Sequence, residues 1–182
     1  MNRLKKLYHD IVAPKLLESI GQTNRLAAPR LEKVVVSTSF KEEQRQDEAM
    51  KAASAWLSAL TGQKPKETTA RKAIAGFNIR EGDVVGLVVT LRGIQMWEFV
   101  DKLIAAALPR VKDFQGIPRD GFDGHGNYTL GVTEQIMFPE VEYDTVGKVR
   151  GLQISLVTTA NNDRVARLLL EGLGMPFEKQ PR

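Results

Sequence analysis

Apolar residues fall into short blocks whose spacing changes along the chain. Leu4, Leu7, Tyr8, Ile11 and Val12 recur at helical intervals, which predicts an N-terminal helix. Pro14 ends it, kinks it or opens a second piece. Leu31–Ser39 is rich in β-branched residues and reads as a strand. Ala49, Ala52, Ala53, Trp56, Leu57 and Leu60 then form an apolar helical stripe, closed by Gly62 and Pro65. Lys66–Arg71 reads as a short strand, and Lys72–Gly82 as a loop. Val84–Arg92 is the strongest strand signal, broken at Gly93. Met96, Phe99, Val100, Leu103, Ile104 and Ala107 mark a helix ended by Pro109. Tyr128–Val132 and Glu134–Phe138 read as two short strands. Leu152, Ile154 and Leu156 alternate with polar residues, as burial of one strand face requires. Val165, Leu168, Leu169 and Leu173 share a face of a last helix, with Asn161 as its expected cap and Gly172 or Gly174 followed by Pro176 as its end.

Strands come in groups between helices, not in strict alternation. That order predicts an α+β fold with a largely antiparallel sheet. Such a sheet buries one face against helices and leaves the other free, and an open sheet face is a platform for RNA. The length, 182 residues, predicts one domain, residues 1–182, with loops at 72–82 and 109–127.

The run from Gln115 to Gly131 is the part least explained by core filling. It carries Gly116, Gly121, Gly124, Gly126 and Gly131, interleaved with Arg119, His125, Asn127 and Tyr128. Loops of this length in a compact domain are mostly functional or disordered.

Composition narrows the classes. Hydrophobic residues make up 42%, enough for a core. The chain has no cysteine, which removes disulfides, thiolate metal sites and cysteine nucleophiles. The N-terminus has charges throughout and no apolar core of a leader, and no long apolar run follows, so the expectation is a soluble cytoplasmic protein with no membrane partner. The net charge of +4 is unevenly spread. Residues 1–30 carry +4, residues 62–82 carry +3 and residues 121–145 carry −5. Segregated charge fits a polyanion on one side of the molecule, or a merely solvated surface.

Catalytic signals are sparse. His9 and His125 lie far apart in sequence and match no ligand spacing; His9 reads as a surface residue on its helix. There is no phosphate-loop lysine ending and no strand–GxGxxG–helix unit. Asp120, Asp123 and Asn127 miss the spacing of a calcium loop. Glu140, Glu142 and Asp144 read as the wet face of an edge strand or a contact for a basic partner. The expectation is therefore no enzyme, no metal and no cofactor. Lys64, Lys66, Arg71, Lys72 and Arg80 instead flank a loop with Ile74 and Phe77 near its tip. Those two either meet a sugar or base surface or fold back into the core. Arg92, Arg110 and Arg119 are further phosphate candidates, and Tyr128 either stacks on a base or faces the core.

A set of motifs in fixed order carries a resemblance. They are T-G-Q-K-P at 61–65, A-I-A-G-F at 73–77, V-T-L-R-G at 89–93, L-P-R-V-K-D-F at 108–114, F-D-G-H-G-N-Y-T-L-G at 122–131, E-Q-I-M-F-P-E at 134–140, V-R-G at 149–151, V-T-T-A at 157–160 and L-G-M-P-F at 173–177. In this order the chain resembles the bacterial large-subunit ribosomal protein five family, which binds 5S ribosomal RNA. The resemblance implies a curved sheet packed on 5S rRNA and adjacent large-subunit rRNA, with helices on the other face and long loops toward the RNA. It implies a protruding loop toward peptidyl-site tRNA. It also implies a contact with small-subunit head protein thirteen and neighbouring 5S rRNA-binding ribosomal proteins. Carried onto this chain, the 5S-binding residues are Thr90, Arg92, Arg110, Asn127 and Tyr128, with His125 nearby, and the tRNA-contacting loop holds Arg71, Lys72, Ile74, Gly76, Phe77 and Arg80.

Two positions depart from the family's pattern. His125 stands where arginine is usual, and Ser37–Glu42 reads S-T-S-F-K-E in place of an asparagine and a glycine-rich turn. The sequence reading is thus a non-catalytic ribosomal RNA-binding protein. Its rivals are an enzyme using Asp123 and Glu134 with a divalent metal, and an RNA-binding regulator acting outside the ribosome.

Overall fold

A computed structural model describes residues 2–40, 47–141 and 149–178. The elements are α1 (Arg3–Leu7), α2 (Ala13–Ile20), β1 (Leu31–Ser39), α3 (Asp47–Thr61), β2 (Lys66–Thr69), β3 (Val84–Leu91), α4 (Gly93–Lys102), β4 (Tyr128–Val132), β5 (Leu152–Thr158) and α5 (Asp163–Gly172). The strands form one open five-stranded sheet in the order β2-β3-β1-β5-β4. This is the expected α+β class with an antiparallel sheet. The pairing follows directly from the contacts. Lys66 sits opposite Val88 while Thr69 sits opposite Val84. Arg30 meets Thr159 at one end of β1, and Thr38 meets Gly151 at the other.

The strands alternate as a half-buried sheet must. In β1, Val34, Val36 and Thr38 are buried while Val35, Ser37 and Ser39 are not. The chain forms two compact units, one of Met1–Val34, Arg92–Leu130 and Ser155–Arg182, the other of Val35–Leu91 and Gly131–Ile154. The first unit buries Tyr8, Trp97, Leu103, Tyr128, Leu156, Leu169 and Leu170. The second buries Val36, Trp56, Leu57, Leu60, Leu87, Leu91 and Ile154, so the predicted stripe of α3 is its core face.

Pro14 and Pro109 are accommodated by the same device. A π turn at Tyr8–Val12 precedes Pro14, and another at Leu103–Ala107 precedes Pro109. The Ala13 N–H donates to Tyr8 O, and the Leu108 N–H to Leu103 O, each one residue beyond the helical partner. A proline has no N–H and its ring crowds the carbonyl four residues back. Widening the turn just before it relieves that crowding without breaking the rod. Pro14 therefore opens a second helical piece, and Pro109 sits inside a closing 3₁₀ turn.

Three expectations need correction. Glu134–Phe138 is not a strand but a 3₁₀ turn, Gln135–Met137. Met137 and Phe138 are adjacent and both buried, unlike the alternation of a half-buried strand, and fully buried Gln135 clasps the Arg150 backbone. The cap of α5 is Asn162, which accepts from Val165 N at 2.9 Å, and not Asn161. β2 stops at Thr69, short of Arg71. Phe40, one of the residues that depart from the family's pattern, is 5% exposed, and its N–H extends the ladder to Val85 O at 2.9 Å. Residues 41–46 of that stretch lie outside the described residues.

Gly86 has a packing reason. A Cβ there would lie 2.6 Å from the carbonyl oxygen of Thr38 on the neighbouring strand. Backbone cannot yield as a side-chain tip can, so Gly86→Ala should destabilise the chain by about 1–3 kcal/mol, read from the midpoint of urea denaturation.

Candidate RNA interface

The loop between β2 and β3 is a hairpin extension with two rungs. At its base Gly82 N donates to Ala70 O (3.0 Å) and Ala70 N to Asp83 O (2.8 Å). Nearer the tip, Ile74 and Ile79 bridge by reciprocal backbone bonds of 2.9 and 3.2 Å. A 3₁₀ turn, Ala75–Phe77, closes the tip, and Asn78 takes a left-handed conformation there (φ 47). Every residue from Arg71 to Asn78 is exposed, as is Arg80. Ile74 is 47% and Phe77 67% exposed, so neither folds back into a core. Gly76 has no heavy atom within 4 Å of where a Cβ would sit, and its φ is not positive. Nothing among the described residues requires glycine there.

The second loop, 109–127, is tied down. Ile117 is buried and exchanges backbone bonds with the segment at Pro176–Glu178. Tyr128 is fully buried, packs against Phe122 and Phe177 with centroids 4.8 and 5.4 Å away, and donates to Pro118 O at 2.7 Å. Burial, and then the charges of Asp120 and Glu178, push its phenol pKa up. Of the two sequence readings of Tyr128, the core-facing one holds, and its ring is not presented for stacking.

Inside this loop two carboxylates organise the glycine run. Asp163, the first residue of α5, accepts from Gly124 N (3.0 Å) and Gly126 N (2.9 Å). Asp123 accepts from His125 N (2.9 Å) and from Asn127 N (3.0 Å). Four successive amides are therefore consumed by the protein's own anions. An amide already bonded to a carboxylate is no donor to phosphate, so these four amides are not offered to an external anion. The Asn127 side chain is also engaged, donating to Asp123 (2.7 Å) and accepting from Thr158 N (3.2 Å). Gly126 has φ +85, and a Cβ there would sit 2.4 Å from Ala160 O. His125 alone of this group has an exposed side chain that no hydrogen bond ties to the described residues.

Comparison with known proteins places this architecture. The family model described as ribosomal protein L5 matches residues 24–80, and the model of the C-terminus of the same ribosomal family matches residues 84–177. The large ribosomal subunit protein uL5 of Streptococcus pyogenes serotype M5 (strain Manfredo) is 51% identical over 178 residues, which is 98% of this chain and 99% of the relative. The protein of that name from Streptococcus equi subsp. zooepidemicus (strain MGCS10565) matches to the same extent. This chain belongs to the ribosomal protein L5 family.

As a member of that family it is a structural, non-enzymatic protein and a constituent of the large ribosomal subunit. Asp123, one residue of the metal-enzyme alternative, is saturated by N–H donors, and Glu134 is exposed. No group of three or more metal-ligating side chains gathers among the described residues. Glu142 and Asp144 lie outside them. No helix among them is long and apolar enough to cross a membrane.

The open face of the sheet mixes short polar side chains with half-exposed Val35, Val88 and Val157. In the first unit it carries Thr129 and Ser155, whose hydroxyls lie 3.2 Å apart, with Thr159 beyond. In the second it carries Ser37, Ser39, Thr90 and Gln153. Thr90 is exposed, and Arg92, in extended backbone after it, is exposed too. Arg92 pairs loosely with Glu32 at 3.4 Å, both more than a third exposed, so the pair is worth little and leaves the arginine free to exchange partners. Arg110 is exposed at the end of its 3₁₀ turn, and Arg119 donates to Glu178 O at 2.8 Å. His9 is exposed, as expected. Sequence reading missed Asp163; its only signal was an acidic residue at the first position of a capped helix.

The Asp123 carboxyl is held down at about 2, chiefly by the Asn127 side-chain amide and then by the backbone N–H groups of Asn127 and His125. A carboxylate depressed in the folded state adds stability fully present above its unfolded pKa of about 3.9. That contribution is lost as pH falls through about 2. The His125 and Asn127 amide resonances should hold steady at neutral pH and titrate near the lower value. Asp123→Asn should abolish that step, and flat amide shifts in the unaltered chain would show the carboxylate is not their acceptor. Gly126→Ala should cost roughly 1–3 kcal/mol from backbone strain alone, measured by thermal denaturation.

Proposed function

We propose that this chain binds 5S ribosomal RNA and adjacent large-subunit RNA through the open sheet face, and reaches peptidyl-site tRNA with the loop at 71–80. Thr90, Arg92, Arg110 and His125 serve the first role, and Asn127 supports it by holding the loop to Asp123 and Thr158 N. Arg71, Lys72, Ile74, Gly76, Phe77 and Arg80 serve the second. The same reading includes a contact with small-subunit head protein thirteen across the subunit interface, and other 5S rRNA-binding proteins as neighbours.

One observation carries this reading. The 71–80 loop holds Phe77 and Ile74 out in solvent among exposed Arg71, Lys72 and Arg80, and no ion pair engages these cations among the described residues. Exposed apolar groups are a cost unless a partner covers them. Cations beside them neutralise phosphates while the apolar groups rest on sugar or base surfaces. A bare Gly76 lets a nucleic-acid backbone approach closely.

The sheet face supports a different contact. Serine, threonine and glutamine present short hydrogen-bonding groups and no aromatic platform. Such a surface suits the sugar–phosphate backbone and 2′-hydroxyls of a folded RNA better than splayed bases. Specificity then comes from shape, with Arg92 and Arg110 supplying charge. His125 stacks or donates one hydrogen bond but brings no fixed charge.

The two roles separate by experiment. Replacing Arg71, Lys72 and Arg80 together by alanine should sharply lower crosslinking to peptidyl-site tRNA in reconstituted ribosomes. The same variant should keep its 5S rRNA affinity within about twofold, because the loop's phosphate contacts lie elsewhere. Equal loss of both would overturn the partition. In the unaltered chain, log affinity for 5S rRNA should fall with log salt by about 0.7–0.9 for each phosphate neutralised, and a salt-independent interaction would sink the reading.

A further inference from the structure

The glycine run closes in a small hairpin. Phe122 bridges antiparallel to Tyr128, Thr129 N donates to Gly121 O (2.8 Å), and Asp123 N donates to Asn127 O (3.2 Å). His125 stands at the tip with its side chain exposed. Asp163 anchors that tip through the Gly124 and Gly126 amides. One anchor fixes a point and leaves the stem to pivot about it. A second anchor lies under the stem.

That second anchor is the segment after α5. The Phe177 ring meets both arms of the hairpin. It stacks on Phe122, with centroids 5.9 Å apart and planes 23° from parallel, and stands edge-on to Tyr128 at 5.4 Å. The backbone around it is held as well. Ile117 N donates to Pro176 O (2.8 Å) and Glu178 N to Ile117 O (3.0 Å), so that Phe177 and Ile117 form a parallel bridge. Arg119 Nε donates to Glu178 O at 2.8 Å. The segment is tied back to the helix it leaves, with Met175 N donating to Leu170 O at 3.0 Å.

Phe177 lies on the side of β4 away from the open face. It packs on Tyr128, whose side chain is fully buried, whereas Thr129, the next residue along, is exposed on the opposite face. A ring without a polar atom, placed there, acts on the open face only through what it props up.

We propose that Phe177 is a positioning residue for ribosomal RNA binding, which supports the hairpin from beneath and so aims His125 at the RNA. This deepens the RNA-binding reading above and rests on it. A loop that must be ordered at the moment of binding loses affinity, and a loop ordered beforehand does not. Asp163 sets the shape of the tip, and Phe177 sets its direction.

The test measures 5S rRNA affinity of the full chain carrying Phe177→Ala, His125→Ala or both. Phe177→Ala should weaken binding about tenfold, and His125→Ala about threefold. The double variant should bind no more weakly than Phe177→Ala alone, because a misdirected tip has already lost the His125 contact. Phe177→Leu, which keeps apolar bulk under the stem, should recover most of the loss. In Phe177→Ala the Gly124 and Gly126 amides should stay protected from hydrogen exchange. Losses that add in the double variant, or full affinity in Phe177→Ala, overturn the positioning role. So does loss of protection at those two amides, which would make the ring a structural support of the whole loop. If the unaltered chain does not bind 5S rRNA, the RNA reading itself fails, a different outcome from loss of the positioning role alone. Should Phe177→Ala fail to fold, Phe177→Leu runs the same cycle with a step of about threefold.

Discussion

Two carboxylates govern the loop that the sequence makes most conspicuous. Asp123 and Asp163 divide the amides of Gly124, His125, Gly126 and Asn127 between them. A run of glycines beside a helix start would ordinarily be a nest for an external anion. Here the anions are internal, and the nest is already filled. Everything around it follows from that closure. Asn127 is fixed against Thr158, Gly126 is pressed onto Ala160, and α5 begins where Asp163 is needed. The loop acts as a rigid strap that presents side chains, not amides.

Secondary structure was legible where a periodic signal was long. The stripe of α3 and the alternation of β5 follow hydrophobic spacing because one-sided burial decides both the element and its face. The misses have local causes. At Glu134–Phe138 an apolar run imitates a strand, but two adjacent residues are buried together and Gln135 turns inward to hold the Arg150 backbone. At Asn161 and Asn162 two equally good caps stand side by side, and only the backbone direction chooses. The π turns before Pro14 and Pro109 leave no compositional trace beyond the prolines themselves.

The functional surface was legible in part. The basic flanks and apolar tip of the 71–80 loop are visible in sequence because charge and hydrophobicity occur where no core can use them. Tyr128 shows the limit of that argument: an aromatic in a strand reads equally as platform or core until its neighbours Phe122 and Phe177 are known. Asp163 was invisible for the same reason. It matters through partners far away in sequence, the amides of the glycine run.

The two rungs of the protruding hairpin have a mechanical meaning. Between the Ala70–Gly82 rung and the Ile74–Ile79 rung, Arg71, Lys72 and Ala73 run without a ladder bond to the returning strand. Bending concentrated there breaks no rung on either side. A bend placed there would leave the shape of the tip and the pairing of β2 with β3 unchanged. A compliant joint between two stiff pieces lets an attached partner shift without prising the sheet open.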